Sequence, residues 1–66
     1  MKKFRHYKGG TYEFIGEAIH SETKEKMVIY SDSDNNIYVR PAKMFYEEVK
    51  INGKTFKRFT ELNNDN

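Results

Sequence analysis

The dipeptide Asn52-Gly53 constrains the fold of this chain more than any other feature, because it separates two runs of strand-forming residues, EEVKI and KTFKRF. Asn-Gly favours the two-residue type I′ turn that joins antiparallel strands. Such a turn pairs apolar with apolar and acidic with basic residues away from the turn, and leaves one mixed pair beside it: Val49 with Phe56, Glu48 with Lys57, Glu47 with Arg58, and Ile51 with Lys54. These pairs satisfy the rules of cross-strand packing, so the sequence predicts a β-hairpin here.

Apolar residues also recur with a period of two further upstream, which indicates strands rather than helices. In TYEFIGEAI, residues 11–19, the even-numbered positions are predicted to share one face and the odd-numbered positions the other. Gly16 inside this strand indicates a bend or a close backbone approach. Two more strands are predicted over 26–31 and 37–40. Pro41 then ends the second of these, because it lacks an N–H for the ladder.

These strands predict an all-β fold, a small SH3-like barrel of five antiparallel strands. PAKMF, residues 41–45, has the length of one helical or 3₁₀ turn, with Pro41 at its favoured first position. The 66 residues are enough for a single domain over 1–62, with NNDN at 63–66 predicted to be a disordered tail. The chain has no cysteine, so its core depends on apolar packing, to which five Tyr and five Phe contribute much of the area.

Positive charge is concentrated at the N-terminus, in an arm predicted over residues 1–8 that contains Lys2, Lys3, Arg5 and Lys8. Removing these four from the 12 basic residues leaves eight against ten acidic ones, a balance of −2. The arm either favours anions or is simply a solvated start. No apolar run has the length of a signal sequence or of a membrane span, so we expect a cytoplasmic protein with no membrane partner.

The segment HSET places four reactive side chains between two predicted strands: His20, Ser21, Glu22 and Thr23. Nucleophilic catalysis requires a nucleophile within hydrogen-bond reach of a base. Ser21 directly follows His20, so in an extended chain the two side chains point to opposite faces. Ser and Thr hydroxyls often bond to nearby backbone in turns. We therefore predict a turn here, and a protein that is not an enzyme.

Three segments in the order HYKGGTYEFIGEAIHSETKEKMVIY, YVRPAKMF and VKINGKTFKRF resemble a small bacterial and phage family, domain of unknown function 1653. The similarity covers about residues 5–60. It rests on a His-x-Lys-Gly start, a Tyr in the first strand, the HSET turn and an Arg-Pro-x-x-Met-Phe segment. The resemblance implies an SH3-like β-barrel and no established activity.

By position, the polar signature of that family falls on nine residues of this chain: His6, Lys8, Gly9, Gly10, His20, Ser21, Glu22, Thr23 and Arg40. The chain departs from the family at Tyr38, where Trp is usual. It also departs in the loop SDSDNN, which lacks the glycine and aromatics common there.

Two parts of this signature have the chemistry of an anion site. Gly9 and Gly10 permit positive φ angles that turn backbone N–H groups toward an anion beside Lys8, although a plain turn is the simpler interpretation. Arg40 at a strand end is able to clamp a phosphate or carboxylate through two parallel hydrogen bonds. The alternative for Arg40 is an ion pair within the chain, with Glu13, Glu17 or Glu22.

Metal and cofactor sites are not expected. Asp32, Asp34 and Asn36 match the first ligands of a calcium loop, but Ile37 replaces its glycine and Lys43 its final acid. Two histidines without cysteine also leave a zinc site short of ligands.

Four tyrosines, Tyr7, Tyr12, Tyr30 and Tyr38, are numerous for this length, and one or two of them are expected to present a face on which a base stacks. The predicted ligand site joins the family's polar signature to Tyr7, Tyr12 and Tyr38. The first hypothesis is a non-catalytic module that binds a small anionic, nucleotide-like ligand in one pocket, as a sensor or sequestering protein. The alternative is an adaptor that binds nucleic acid or a protein through the basic arm and the barrel surface. A further alternative is a pocket shared between two copies of the chain.

Overall fold

Antiparallel strands form most of the protein, and the computed structural model describes residues 2–62. The predicted disordered tail at 63–66 lies outside the described residues. The elements are β1 (Lys3–His6), β2 (Thr11–Ile19), β3 (Lys26–Ser31), β4 (Ile37–Pro41), α1 (Ala42–Phe45), β5 (Glu48–Ile51), β6 (Lys54–Lys57) and β7 (Phe59–Leu62). The prediction of an all-β fold with one short helical turn is confirmed.

The strands form a five-stranded sheet in the order β4-β3-β2-β1-β7 and a separate two-stranded sheet, β5-β6. All neighbours within the two sheets are antiparallel. Three predicted strands, β2, β3 and β4, are present with bounds that match the prediction to within one residue. They are joined by short loops, as the period-two pattern indicates.

The Asn-Gly hairpin forms in the predicted register, with Val49 opposite Phe56 and the other pairs in step. Asn52 and Gly53 have φ angles of 52° and 79°, the positive values that a type I′ turn requires. Just beyond the ladder, Arg58 forms a salt bridge with Glu47 and its backbone N–H donates to the Glu47 carbonyl at 3.0 Å. This prediction is therefore confirmed.

Two strands differ from the prediction. The residues assigned to a basic arm include β1, which lies between β2 and β7 and pairs with both. The run KTFKRF is not one strand, because the chain changes partner at Arg58. Its N–H bonds toward Glu47, while its carbonyl accepts from the Tyr7 N–H at 3.0 Å. The chain then continues as β7 along β1. Residues 2–62 therefore contain seven strands, two more than the five predicted.

Gly16 lies at a β-bulge in β2, where the register shifts between Phe14 and Gly16. A Cβ added at Gly16 would meet nothing within 4 Å, so the predicted bend is present and a close backbone approach is not. The extra residue also reverses the alternation predicted for the second half of β2. Glu17 now pairs with the buried Val28, and so lies toward the core side of the sheet.

The core is a small aromatic cluster on one face of the five-stranded sheet, which we call the inner face. It consists of Phe4, Val28, Tyr30, Phe45 and Phe59, with Tyr12, Phe14 and Ala42 packed against it. The single turn of α1 places Phe45 over the sheet, where its ring stacks on Phe59 at 4.2 Å between centroids. Three of the five core residues are phenylalanines, which confirms that aromatic area replaces the absent disulfides.

Pro41 precedes α1 instead of starting it. Its φ of −54° and ψ of 137° place it at the N-cap, and its Cα partner in β3 is Met27. Within residues 2–62, no helix has the length and apolarity needed to cross a membrane.

Candidate functional site

Polar side chains stand beside the aromatic core on the inner face, and strand register explains how they arrive there. Residues opposite each other in neighbouring strands share a face of the sheet. His6 lies opposite Phe59, and Arg40 lies opposite Val28. Tyr38 lies opposite Tyr30 in the same way. We call the group of His6, Tyr12, Tyr30, Tyr38 and Arg40 the Arg40 cluster.

Arg40 is half-buried and held by aromatic groups. Its Nε donates to the Tyr30 hydroxyl at 3.4 Å, and its guanidinium lies 5.9 Å from the centroid of the Phe59 ring. Among residues 2–62 it forms no salt bridge, and the three that exist involve other pairs. The alternative of an ion pair with Glu13, Glu17 or Glu22 is therefore not observed, and Glu17 instead faces Lys26 at 3.7 Å.

His6 links this cluster to the HYKGG turn. Its ring lies 4.9 Å from the Phe59 ring and 6.5 Å from the Tyr12 ring, both edge-on. Its Nδ1 accepts a hydrogen bond from the Lys8 backbone N–H at 3.1 Å. Desolvation lowers the pKa of His6, and the nearby charges of Arg58, Arg40 and Lys8 lower it further. The charges of all three side chains thus act on His6.

The tyrosines form a continuous row across β2, β3 and β4. The Tyr12 and Tyr30 rings are 5.6 Å apart, and the Tyr30 and Tyr38 rings are 5.7 Å apart. Tyr38 is 43% exposed, so part of its ring is free to stack on a ligand. Its hydroxyl donates to Asp32 Oδ2 at 2.9 Å, and this bond raises the pKa of Tyr38.

The HYKGG segment is a turn in which the Lys8 and Gly9 amides bond to His6. Gly9 N–H donates to the His6 carbonyl at 2.8 Å, and Lys8 N–H is occupied by the His6 ring. Gly9 and Gly10 have φ angles of 100° and 88°, which explains why two glycines stand here. Because the Lys8 and Gly9 amides are already bonded, the plain turn is favoured over an anion-binding nest. Lys8 directs its Nζ over the Tyr7 ring at 5.8 Å.

The HSET segment is also a turn, between β2 and β3. His20 Nδ1 accepts from the N–H groups of Glu22 and Thr23 at 3.2 and 3.3 Å. Thr23 Oγ1 accepts from the Glu25 N–H at 3.2 Å. Ser21 and the other three HSET residues are exposed. Strand β2 separates this turn from HYKGG by roughly 25 Å at 3.3 Å per residue, so the structure does not bring the two segments together.

The loop SDSDNN organises itself around Asp32. Its Oδ1 accepts from the N–H groups of Asp34 and Asn36 at 2.9 Å each. Although desolvation acts to raise the pKa of Asp32, hydrogen bonds from Asn36, Tyr38 and Asp34 lower it below its ordinary value. The carboxylate thus positions the loop and the Tyr38 hydroxyl. Within the part of the chain that the structure describes, no three His, Asp or Glu side chains are grouped to hold a metal ion.

Sequence reasoning missed two contributors to this site. Phe59 supplies the ring that contacts both Arg40 and His6, and it belongs to β7, which was not predicted. Arg58 adds charge near His6, although the sequence indicated only its pairing with Glu47. The sequence signal for both residues is the KTFKRF run, but its pattern indicates only the second strand of the hairpin.

Comparison with known families gives a clear assignment. The family described as Protein of unknown function (DUF1653) matches residues 2–61, nearly the whole chain. The protein therefore belongs to this family. Neither the curated proteins nor the solved structures gave a match.

Proposed function

We propose that this member of the DUF1653 family is a non-catalytic binding module for a small anionic ligand that carries an aromatic ring, such as a nucleotide. The ligand site is the Arg40 cluster on the inner face of a half-open, SH3-like barrel. The observation that carries the proposal is the half-buried guanidinium of Arg40, which has aromatic contacts and no carboxylate partner within residues 2–62.

An arginine in this position retains most of its donors. The contact with Tyr30 uses Nε, which leaves the Nη groups to form two parallel bonds to a phosphate or carboxylate. The cation–π contact with the Phe59 ring, at 5.9 Å, restricts the Arg40 side chain, so less conformational entropy is lost on binding. Partial burial also strengthens a charge-assisted hydrogen bond relative to one in water.

The electrostatic surroundings favour an anion as well. Arg40, Arg58 and Lys8 are all close enough to His6 to disfavour its protonated form. A phosphate bound at Arg40 would offset part of this repulsion. Arg58 is already paired with Glu47. Of the three cations, Arg40 and Lys8 are therefore the two that form no salt bridge among residues 2–62.

Tyr38 provides the aromatic half of the site. Its exposed ring continues the tyrosine row, and its hydroxyl is fixed by Asp32. A base stacked on Tyr38 would place its phosphate toward Arg40, two residues along the same strand and on the same face. Base stacking on an aromatic side chain contributes about 1–3 kcal/mol. In this arrangement the HSET residues are outside the site and serve only as a turn.

The test is an amide NMR titration of the full chain with AMP, with adenosine and inorganic phosphate as the separated halves of the ligand. We expect saturable shifts with AMP at His6, Tyr38 and Arg40, and weaker ones with either half. Arg40→Gln should weaken AMP binding at least 10-fold, since hydrogen bonds to charged groups contribute about 1.5–3 kcal/mol. Arg40→Lys should restore it only in part.

Lys50→Gln is the matched control, because it removes one positive charge from an exposed position on β5. It should leave AMP binding unchanged. Equal weakening by Arg40→Gln and Lys50→Gln would show that net charge alone attracts the nucleotide. Shifts confined to residues 20–23 would move the site to HSET and overturn the proposal.

A further inference from the structure

A second surface lies where β1, β6 and β7 meet. It is an open groove of about 180 Å³, which we call the β6 groove, lined by Arg5, His6, Tyr7, Phe56, Lys57 and Thr60. We infer that the β6 groove binds single-stranded nucleic acid. This inference goes beyond the ligand proposed for the Arg40 cluster. His6 borders both surfaces, and Lys8 and Arg58 act on His6 as well as contacting the Tyr7 ring of the groove.

The change of strand partner at Arg58 creates the groove. Because the Arg58 carbonyl accepts from the Tyr7 N–H, the end of β6 is held beside the end of β1. Phe56 and Lys57 therefore come next to Tyr7. From the other side, Arg5 lies opposite Thr60 in the β1–β7 ladder.

The two charged side chains of the lining, Arg5 and Lys57, are both positive, and Glu48 lies opposite Lys57 in the hairpin ladder. Arg5 and Lys57 are exposed, and neither forms a salt bridge among residues 2–62. None of the six lining residues is acidic. Lys8 and Arg58 make cation–π contacts with the ring of Tyr7, a lining residue, at 5.8 and 6.0 Å, and Arg58 is also paired with Glu47. Such a surface complements a phosphate backbone.

Aromatic groups distinguish the β6 groove from a merely basic patch. Phe56 is 43% exposed on a two-stranded hairpin, where it faces only Val49 across the ladder. Exposed aromatic rings between basic side chains are the platform on which unpaired bases stack. Bases of a duplex already stack on each other and present no free face to Phe56. These features favour a single strand over a duplex.

The experiment measures fluorescence anisotropy of a labelled dT12 oligonucleotide with the full chain, at 50 and 200 mM salt. Two phosphate contacts, from Arg5 and Lys57, should make the affinity fall about 7-fold between these concentrations. Lys57→Gln should weaken binding and reduce that fall to about 2.6-fold, since one contact remains. Phe56→Leu keeps an apolar residue in the hairpin, yet should weaken binding about 5-fold or more through lost stacking.

Lys50→Gln removes the same charge from the same hairpin outside the groove, and should bind dT12 like the parent chain. Equal losses for Lys50→Gln and Lys57→Gln would overturn the inference, as would a duplex that binds as tightly as dT12. Absence of saturable binding at 50 mM salt would overturn it too. Because AMP binding is tested through Arg40, failure of either proposal leaves the other standing.

Discussion

The two turns at the ends of β2 begin with the same local motif and differ in their surroundings. In each, a histidine ring accepts a backbone N–H two residues further along, from Lys8 at 3.1 Å to His6 and from Glu22 at 3.2 Å to His20. His6 also packs edge-on against Phe59 and lies near three cations. His20 is exposed. The hydrogen-bonding motif is thus a device for forming a turn, and tertiary packing alone gives one of the two turns a place in a candidate site.

This difference predicts the largest effect, on the free energy of unfolding. His6→Ala should destabilise the protein by about 2 kcal/mol, because it removes a turn-capping acceptor and aromatic contacts each worth about 0.5–1.5 kcal/mol. His20→Ala removes only the cap and should cost about 1 kcal/mol or less. Urea unfolding of both variants measures the gap. If the two losses are equal, the packing around His6 adds nothing and the contrast between the turns disappears.

The same contrast shows how far the sequence determines the site. The residue types of HSET correctly indicated a turn, because the His20 ring and the Thr23 hydroxyl accept hydrogen bonds from backbone N–H groups two or three residues away. The grouping of His20 with His6 and Arg40 did not follow, because distance through space depends on strand length. Strand β2 carries the two turns to opposite ends of the sheet.

Backbone geometry separates the two turns a second time, because substitutions at their positive-φ residues are expected to change stability in opposite directions. Gly10 has a φ of +88°, and a Cβ there would meet the Tyr12 ring no closer than 3.5 Å, an ordinary contact. Gly10→Ala should therefore destabilise through backbone strain alone, by about 1–2 kcal/mol. Lys24, in the HSET turn, has a φ of +66° without being glycine. Lys24→Gly should stabilise the protein by about 0.5 kcal/mol, as relief of strain exceeds the added chain entropy.

Thermal unfolding resolves these changes, since 1 kcal/mol shifts the Tm of a domain this small by about 4–8 °C. Lys26→Gly supplies the control for glycine substitution within β3, where no positive φ is present, and should destabilise. A loss of stability in Lys24→Gly would mean that the HSET turn carries no backbone strain.

The positions of the strands were more predictable than the pairing between strands that are distant in sequence. The Asn52-Gly53 hairpin depends on residues a few positions apart, and its register followed from charge and polarity. The pairing of β1 with β7 joins the two ends of the described chain, and no local pattern specifies it. The chain changes strand partner at Arg58, whose N–H donates to the Glu47 carbonyl and whose carbonyl accepts from the Tyr7 N–H. The Phe59 surface under Arg40 was unpredictable for the same reason.

The smallest effect concerns pH and depends on the surroundings of His6. Desolvation, with the charges of Arg58, Arg40 and Lys8, holds the pKa of His6 below its ordinary value of 6.5, and protonation of Nδ1 would also break its bond from the Lys8 N–H. Below pH 6.5 the unfolded chain therefore binds more protons at this residue than the folded protein does, so stability rises with pH there. The contribution is complete above pH 6.5 and is lost as the pH falls through the folded pKa.

Urea unfolding at pH 7.5 and 5.0 measures this loss in the parent chain, and NMR titration of the His6 ring gives its pKa directly. His6→Gln should show a smaller difference between the two pH values, while His20→Gln should retain the part due to His6. Asp32 does not obscure the result, because its pKa lies below an ordinary value of 3.8. An unchanged difference in His6→Gln would mean that neither desolvation nor the nearby cations lower the pKa of His6, and that its tertiary surroundings add no pH dependence to the stability of this turn.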